Sequence, residues 1–293
     1  MRADLATEIT NKILRLMETE GSNWKSPWVG QGLHRQAGNQ KPYRGINQVI
    51  LATAGHSPFW ATYKGWQQIG AQVRKGEKST PIFFWKPYAV RDRETEEEKQ
   101  IMLARTYSVF SADQADNAPA LEIQKRPEIE RHAECDRVIT ETGITIKHGG
   151  DKAAYIPSLD HIIMPTPEQF NSRGAYYSTT FHECGHATGA PHRLNRDLKG
   201  RFGDHRYSFE ELIAESTAAL VCCAIGITPE PRKESAQYLN NWMAGLRDDK
   251  HAIIRAFSHA QRAADFILKE TPEHAPEPAR PAAQGPDAPE PGP

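Results

Sequence analysis

The run His182-Glu183-Cys184-Gly185-His186 constrains this 293-residue chain more than any other feature. Residues four apart share one face of a helix, so His182 and His186 can offer two imidazoles to a single metal ion. Glu183 lies beside them, where a carboxylate can take a proton from water at the open coordination position, the role of a general base. The sequence around the run must therefore form a helix packed firmly enough to fix two histidines. Tyr176 to Phe181 supplies a hydrophobic-faced lead-in, and Gly185 and Gly189 permit close packing and a helix stop. Cys184 falls on the side away from the ligands and reads as a packing residue.

A catalytic zinc usually takes three protein ligands and leaves a fourth place open. The third is sought in the stretch Phe209 to Leu220, where Glu211 and Glu215 stand one turn apart among small and apolar neighbours. Carboxylates on a burying face are costly unless they are paired. One acting as a metal ligand, and the other accepting a hydrogen bond from a ligand histidine, accounts for both. Spacing alone leaves open which glutamate does which, a third histidine such as His192 or His205, and two solvated glutamates. The pattern resembles the gluzincin metallopeptidases, and that resemblance favours Glu211 as third ligand with Glu215 behind it. The implied ion is one divalent metal, Zn2+ first and Mn2+ as the alternative. His161 to Met164 is expected to be the strand that lines such a cleft and accepts a peptide by β-addition, an ordinary core strand being the competing reading. His192, Arg193 and Arg196 offer either an anion site or a solvated turn.

The length favours two modest domains. Ala3 to Glu20 places Leu5, Ile9, Ile13, Leu16 and Met17 at helical spacing. Asn23 to Tyr43 reads as a loop rich in Gly, Pro and Trp, and short helices are expected at Asn47 to Thr53 and Thr62 to Ile69. Strands are predicted over Ser79 to Tyr88 and Arg105 to Phe110, with Arg91 to Gln100 as a charged hairpin loop. The expected organisation is α+β throughout: a first domain over residues 1–123, a polar linker over 124–136, a second domain over 137–270, and a Pro/Ala-rich disordered tail over 271–293. In the second domain a helix is expected at Val138 to Thr142, and strands at Ile144 to His148, Ala153 to Ile156 and His161 to Met164. Helical regions follow over Pro167 to Gly189, Phe209 to Gly226 and Glu234 to Glu270.

No stretch approaches the roughly 20 apolar residues of a membrane span, and the amino terminus has no signal-peptide core. Cys135, Cys184, Cys222 and Cys223 form no thiolate metal spacing, and a reduced cytoplasmic protein is expected. A formal net charge of -1 conceals a local excess: from Asn23 to Arg91 there are ten Lys or Arg residues against the single acid Glu77. Interleaved with them are Trp24, Trp28, Tyr43, Trp60, Tyr63, Trp66, Trp85 and Tyr88. Basic chains that track phosphates and rings that stack bases are the means of holding single-stranded nucleic acid. The same composition also describes an aromatic core with solvated lysines.

The runs Lys41-Pro42-Tyr43-Arg44-Gly45-Ile46-Asn47, Phe59 to Trp66, Gly70 to Lys78 and Tyr107-Ser108-Val109-Phe110 resemble the amino-terminal domain of the ArdC antirestriction proteins, also found in TraC-type plasmid primases. The motif helix and the Glu211 to Glu215 helix resemble the zincin-like metallopeptidase domain that accompanies it. The resemblance spans nearly the whole chain except the tail. It implies single-stranded DNA binding by the first domain, a zincin-like second domain, and protection of incoming plasmid DNA from host restriction during conjugation. Arg44, Lys64, Trp66, Arg74, Lys75 and Lys78 are the DNA contacts singled out. Host restriction machinery or another protein is the further expected partner. Two other readings remain: a cytosolic metallopeptidase acting on a protein, and a DNA-binding inhibitor whose metal is structural. The acidic run Glu94 to Glu98 is too short to imitate a duplex.

Overall fold

Apolar residues at helical spacing form the first element, α1 (Leu5–Glu20), whose Ile9, Ile13 and Met17 are buried. The computed structural model describes residues 5–20, 32–91, 98–123, 127–198, 205–228 and 235–270. The expected tail, the first part of the Trp-rich loop with Trp24 and Trp28, and the tip of the charged hairpin lie outside these residues. No helix among them is long and apolar enough to cross a membrane.

The amino-terminal half holds β1 (Arg35–Gln36), α2 (Ile46–Ala52), β2 (Phe59–Ala61), α3 (Tyr63–Gln68), β3 (Gln72–Val73), β4 (Thr80–Arg91), β5 (Glu98–Ser111) and β6 (Ala115–Asp116). Four of the strands form one sheet in the order β1-β2-β5-β4, and β3 pairs with β6. The strands of the long β4–β5 hairpin run from Thr80 opposite Val109 to Arg91 opposite Glu98, so both extend further than their apolar runs predict. Backbone pairing carries a strand into polar sequence as long as its partner follows. Helix α3 starts where the Thr62 side chain accepts the Gly65 N–H at 3.0 Å, an N-cap that frees the next residues to turn.

Two buried polar clasps hold this half together. Gln48 accepts the His34 N–H at 2.8 Å and donates to the His34 and Tyr43 carbonyls at 3.0 and 2.5 Å. The Trp60 indole N–H donates to His34 Nδ1 at 2.9 Å, which requires a neutral acceptor nitrogen. Burial pushes the His34 pKa down from 6.5 to about 4. The folded state therefore binds fewer protons than the unfolded chain, and stability is full above pH 6.5 and falls as the pH drops towards 4. The loss over that window is expected to be about 3 kcal/mol. Urea unfolding followed by tryptophan fluorescence checks it, and His34→Asn should show a shallower pH dependence than wild type.

The second half contains α4 (Glu128–Glu141), β7 (Thr145–His148), β8 (Ala154–Ile156), β9 (His161–Met164), α5 (Arg173–Ala187), α6 (His205–Ile225), α7 (Ser235–Asp248) and α8 (Ala252–Leu268). The stretch expected as a linker is helical from Glu128 onward, with Cys135 and Val138 buried; polar composition there marks an exposed helix face. The predicted helical region from Pro167 is broken: a single 3-10 turn precedes α5, which begins where Ser172 accepts the Ala175 N–H at 2.9 Å. The small sheet runs β7-β9-β8, parallel between β7 and β9 and antiparallel between β9 and β8. Strand β9 is thus the central strand, paired on both sides and closed to β-addition. The edge is β8.

Helix α6 packs on α5, α7 and α8 and is buried almost all round, as its lack of a polar face requires. One apolar core runs through the molecule, from Ile9, Ile13 and Met17 of α1 and Val49 of α2 to Phe181, Ile213 and Phe257 of the carboxy-terminal helices. The Thr10 hydroxyl donates to the Lys250 carbonyl at 2.7 Å, Arg247 pairs with Glu18 at 2.5 Å, and Gly45 N–H donates to Gln261 at 2.8 Å.

Candidate metal centre

Helices α5 and α6 meet at Gly185. A Cβ at that position would stand 3.1 Å from Ala214 Cα and 3.3 Å from its carbonyl oxygen, so only glycine allows this approach without displacing the helix. The contact sets the faces of His182 and His186 against those of Glu211 and Glu215.

His182 Nε2 and His186 Nε2 lie 3.0 Å apart. Glu211 spans both, with Oε2 3.5 Å from His182 Nε2 and Oε1 3.3 Å from His186 Nε2. A four-coordinate ion with bonds of about 2.0–2.2 Å spaces its ligands by roughly 3.3–3.6 Å. Both Glu211 spacings fall in that range and the 3.0 Å between the histidine nitrogens is a few tenths short of it, so a small opening of the pair admits one such ion; one donor atom from each of these residues falls within 4.8 Å of the others. Glu215 is elsewhere. Its Oε2 is 3.3 Å from His182 Nδ1, the opposite ring nitrogen, a close but poorly aligned contact that leaves that buried nitrogen without a full hydrogen bond. Of the two glutamates, only Glu211 brings a carboxylate oxygen into the cluster with both histidines that could hold an ion.

His186 has its own orienting acid, one that spacing did not reveal. Glu210 Oε1 is 3.4 Å from His186 Nδ1, and both Glu210 oxygens are held by Arg196 at 3.0 and 2.6 Å. Arg196, with its side chain 4% exposed, also donates to Thr188 Oγ1 at 2.8 Å and to the Gly185 carbonyl at 2.7 Å. It is a buried strut between α5 and α6, and anion binding is closed to it. Arg193 is similarly committed, bidentate to Asp160 at 2.7 and 3.0 Å and donating to the Ala187 carbonyl. His192 is largely exposed, 3.3 Å from Asp160, and takes no part in the donor cluster. The His205 side chain lies outside the described set.

Charge agrees with the geometry. Burial opposes protonation of His186, but the carboxylates of Glu210 and Glu211 outweigh it and raise its pKa to about 10. Burial likewise works against ionised Glu211, and the two histidines reverse that, holding the carboxyl well below the usual carboxylate range. Glu210 is also lowered, burial being overcome by His186 and Arg196. Such a concentration of buried carboxylates calls for a cation. Cys184 is fully buried on the far side of α5, and burial pushes its thiol up to about 12, in keeping with packing.

Glu183 is 4% exposed, and its Oε2 accepts the Tyr155 backbone N–H of β8 at 2.9 Å. The side chain of Tyr155 donates to Asp160 at 2.8 Å, the same carboxylate that Arg193 grips. The edge strand is thereby tied to both the middle and the end of α5. Removing the charge of Glu210 by Glu210→Gln is expected to weaken divalent-metal affinity by about 10–100-fold with little change in helicity, the usual cost of losing an orienting acid. Competition titration against a chromophoric chelator, with circular dichroism as control, checks this.

The sequence-selected DNA residues divide. Lys64, Arg74, Lys75 and Lys78 are exposed on the amino-terminal half. Trp66 is 0% exposed, and its indole N–H donates to the Phe110 carbonyl at 2.9 Å; it is core, in a cluster with Phe59, Ala71 and Val73. Arg44 is ion-paired with the buried Asp265 of α8. Composition could not reveal that partner, more than two hundred residues away in the chain.

Two family models match, one described as the N-terminal domain of anti-restriction factor ArdC over residues 3–110, the other as a zincin-like metallopeptidase over residues 133–259. Crystal structures of the antirestriction protein ArdC from plasmid R388 superpose on the chain. The metal-free form does so at TM-score 0.73 and 35% identity, covering 91% of this chain and 97% of that one. The chain belongs to the ArdC antirestriction family. The Mn(II)-bound ArdC structure agrees equally well, at TM-score 0.74 and 33% identity over 91% of this chain and 98% of that one. Among sequence relatives, the uncharacterized protein y4eC of Sinorhizobium fredii (strain NBRC 101917 / NGR234) is 37% identical over 280 residues, covering 90% of this chain and 91% of y4eC. DNA primase TraC of Escherichia coli is 34% identical over 287 residues, covering 89% of this chain but 27% of the primase. A divalent metal suits the zincin-like half of an ArdC protein.

Proposed function

We propose that this ArdC-family chain binds single-stranded DNA through its amino-terminal half, holds one divalent ion at His182, His186 and Glu211, and protects incoming plasmid DNA from restriction during conjugation. The observation that carries the reading is the three-residue donor cluster with Glu183 fixed beside it, joined through one core to a half that exposes Lys64, Arg74, Lys75 and Lys78. Two imidazoles and one carboxylate suit Zn2+, and Mn2+ is the alternative that the R388 relative accepts.

When bound, the ion would supply a Lewis acid for a carbonyl and a low-pKa water. The residues of the chain do the rest. Glu215 and Glu210 set the rings of His182 and His186, and Glu183, steadied by the Tyr155 N–H, is the base that receives a proton. The substrate of that centre is read as a protein met at the DNA, host restriction machinery being the nearest candidate. A cytoplasmic metallopeptidase acting on protein independently of DNA is the second reading, supported by the same donor cluster and Glu183 taken without the basic face.

The deciding experiment is Glu183→Gln in a restriction-protection assay, with metal content measured on the same protein. Protection lost while metal is retained supports chemistry at the centre. Protection intact makes the ion structural. A gel shift in which the wild-type chain fails to bind single-stranded DNA at low salt removes the DNA half of the proposal.

A further inference from the structure

Tyr63, 45% exposed, is one of three large hydrophobic side chains exposed among the described residues, the others being Ile129 and Leu159. It is also held in place. Its hydroxyl accepts from Gln72 Nε2 at 2.6 Å, and its ring meets Phe110 edge-on with centroids 6.4 Å apart. These two contacts fix a ring at the start of α3 that keeps almost half its surface in solvent.

Tyr63 and Phe110 line an open cavity of about 500 Å³, closed on its other sides by Val73 and the turn from Arg74 to Glu77. That size lies within the roughly 300–1,000 Å³ of small-ligand clefts. The two acids at its rim, Glu77 and Asp116, are countered by Arg74 at 2.8 and 3.5 Å. Lys75 is part of its lining, and the exposed Lys64 and Lys78 each follow a lining residue, Tyr63 and Glu77, in the chain; none of the three has an ion-pair partner among the described residues. Four cations stand against two carboxylates, so the face is net positive.

Resting on the proposed binding of single-stranded DNA, we propose that this cavity is a nucleobase pocket. One unstacked base lies on Tyr63, and the flanking phosphates are taken by Lys64, Lys75 and Lys78. Stacking on an aromatic ring requires a base free of its neighbours, which a duplex does not present and a single strand does. Tyr63 thus fills the part that composition had given to Trp66.

Fluorescence anisotropy of the full chain with a labelled ~15-nucleotide oligo(dT), a length within the footprint of single-strand binders, tests this. Tyr63→Ala is expected to weaken binding about tenfold, while Tyr63→Phe, which keeps the ring, stays close to wild type. Lys75→Ala should weaken binding and flatten its dependence on salt. An oligonucleotide carrying 5-iodouracil should cross-link to Tyr63 in the wild-type protein, a readout independent of whether any variant folds. Wild-type binding that Tyr63→Ala leaves unchanged, or cross-links only elsewhere, overturns the pocket and leaves the broader reading standing. No binding by the wild type overturns both. Loss in Lys75→Ala without loss in Tyr63→Ala also overturns the pocket, since an acidic peptide would use the lysines alone.

Discussion

Glu211→Ala should lower divalent-metal affinity by about two to three orders of magnitude, because a total of about 10–16 kcal/mol shared among four ligands amounts to about 2.5–4 kcal/mol each. The expectation follows from distances: Glu211 alone reaches the Nε2 atoms of both histidines, at 3.5 and 3.3 Å. Glu215 meets His182 at the opposite nitrogen, 3.3 Å away, so Glu215→Ala should cost about 10–100-fold, the effect of losing an orienting group. Isothermal titration with Zn2+ and with Mn2+ separates the two. Equal losses in both variants, or a larger loss at Glu215, would reverse the assignment of the third ligand. Because Glu211 is also the counter-charge of the histidine pair in the absence of metal, the variant should bring the raised pKa of His186 down, visible in its imidazole NMR titration.

Trp66→Ala is expected to destabilise the protein by about 3–5 kcal/mol, as for a fully buried large aromatic. It removes a side chain with no exposed surface and leaves the Phe110 carbonyl without its indole donor. Trp66→Phe should recover part of that loss through packing but not the hydrogen bond. Denaturant unfolding checks both variants. A DNA-contacting tryptophan would behave in the opposite way, with weaker DNA binding and an unchanged unfolding midpoint.

What could be read from the sequence was what repeats with the period of a helix. His182, His186, Glu211 and Glu215 were legible because spacings of four put each pair on one face. Glu210 was not, since it neighbours Glu211 on a helix buried nearly all round, and its signal is the buried Arg196 that only tertiary packing brings to it. The predicted cleft strand was misplaced for a related reason: which of three short strands lies at a sheet edge depends on pairing order, and local composition is silent on that. Arg44 and Trp66 looked like their exposed counterparts because charge and aromatic content carry no record of which side faces water. Lys64, Lys75 and Lys78 lie where the pattern put them, on the outside.

The continuous core from α1 to α8 bears on how this sequence can be inherited or engineered. A cut near residue 125 would expose the apolar side of α1 and strip Asp265 and Gln261 of the loop they hold. Neither fragment would be a self-sufficient cassette. Recombination should therefore carry both halves together, and the 287-residue match to the much longer TraC primase covers 89% of this chain, taking in both halves. Fusions that borrow this unit should take it entire and attach their cargo outside it.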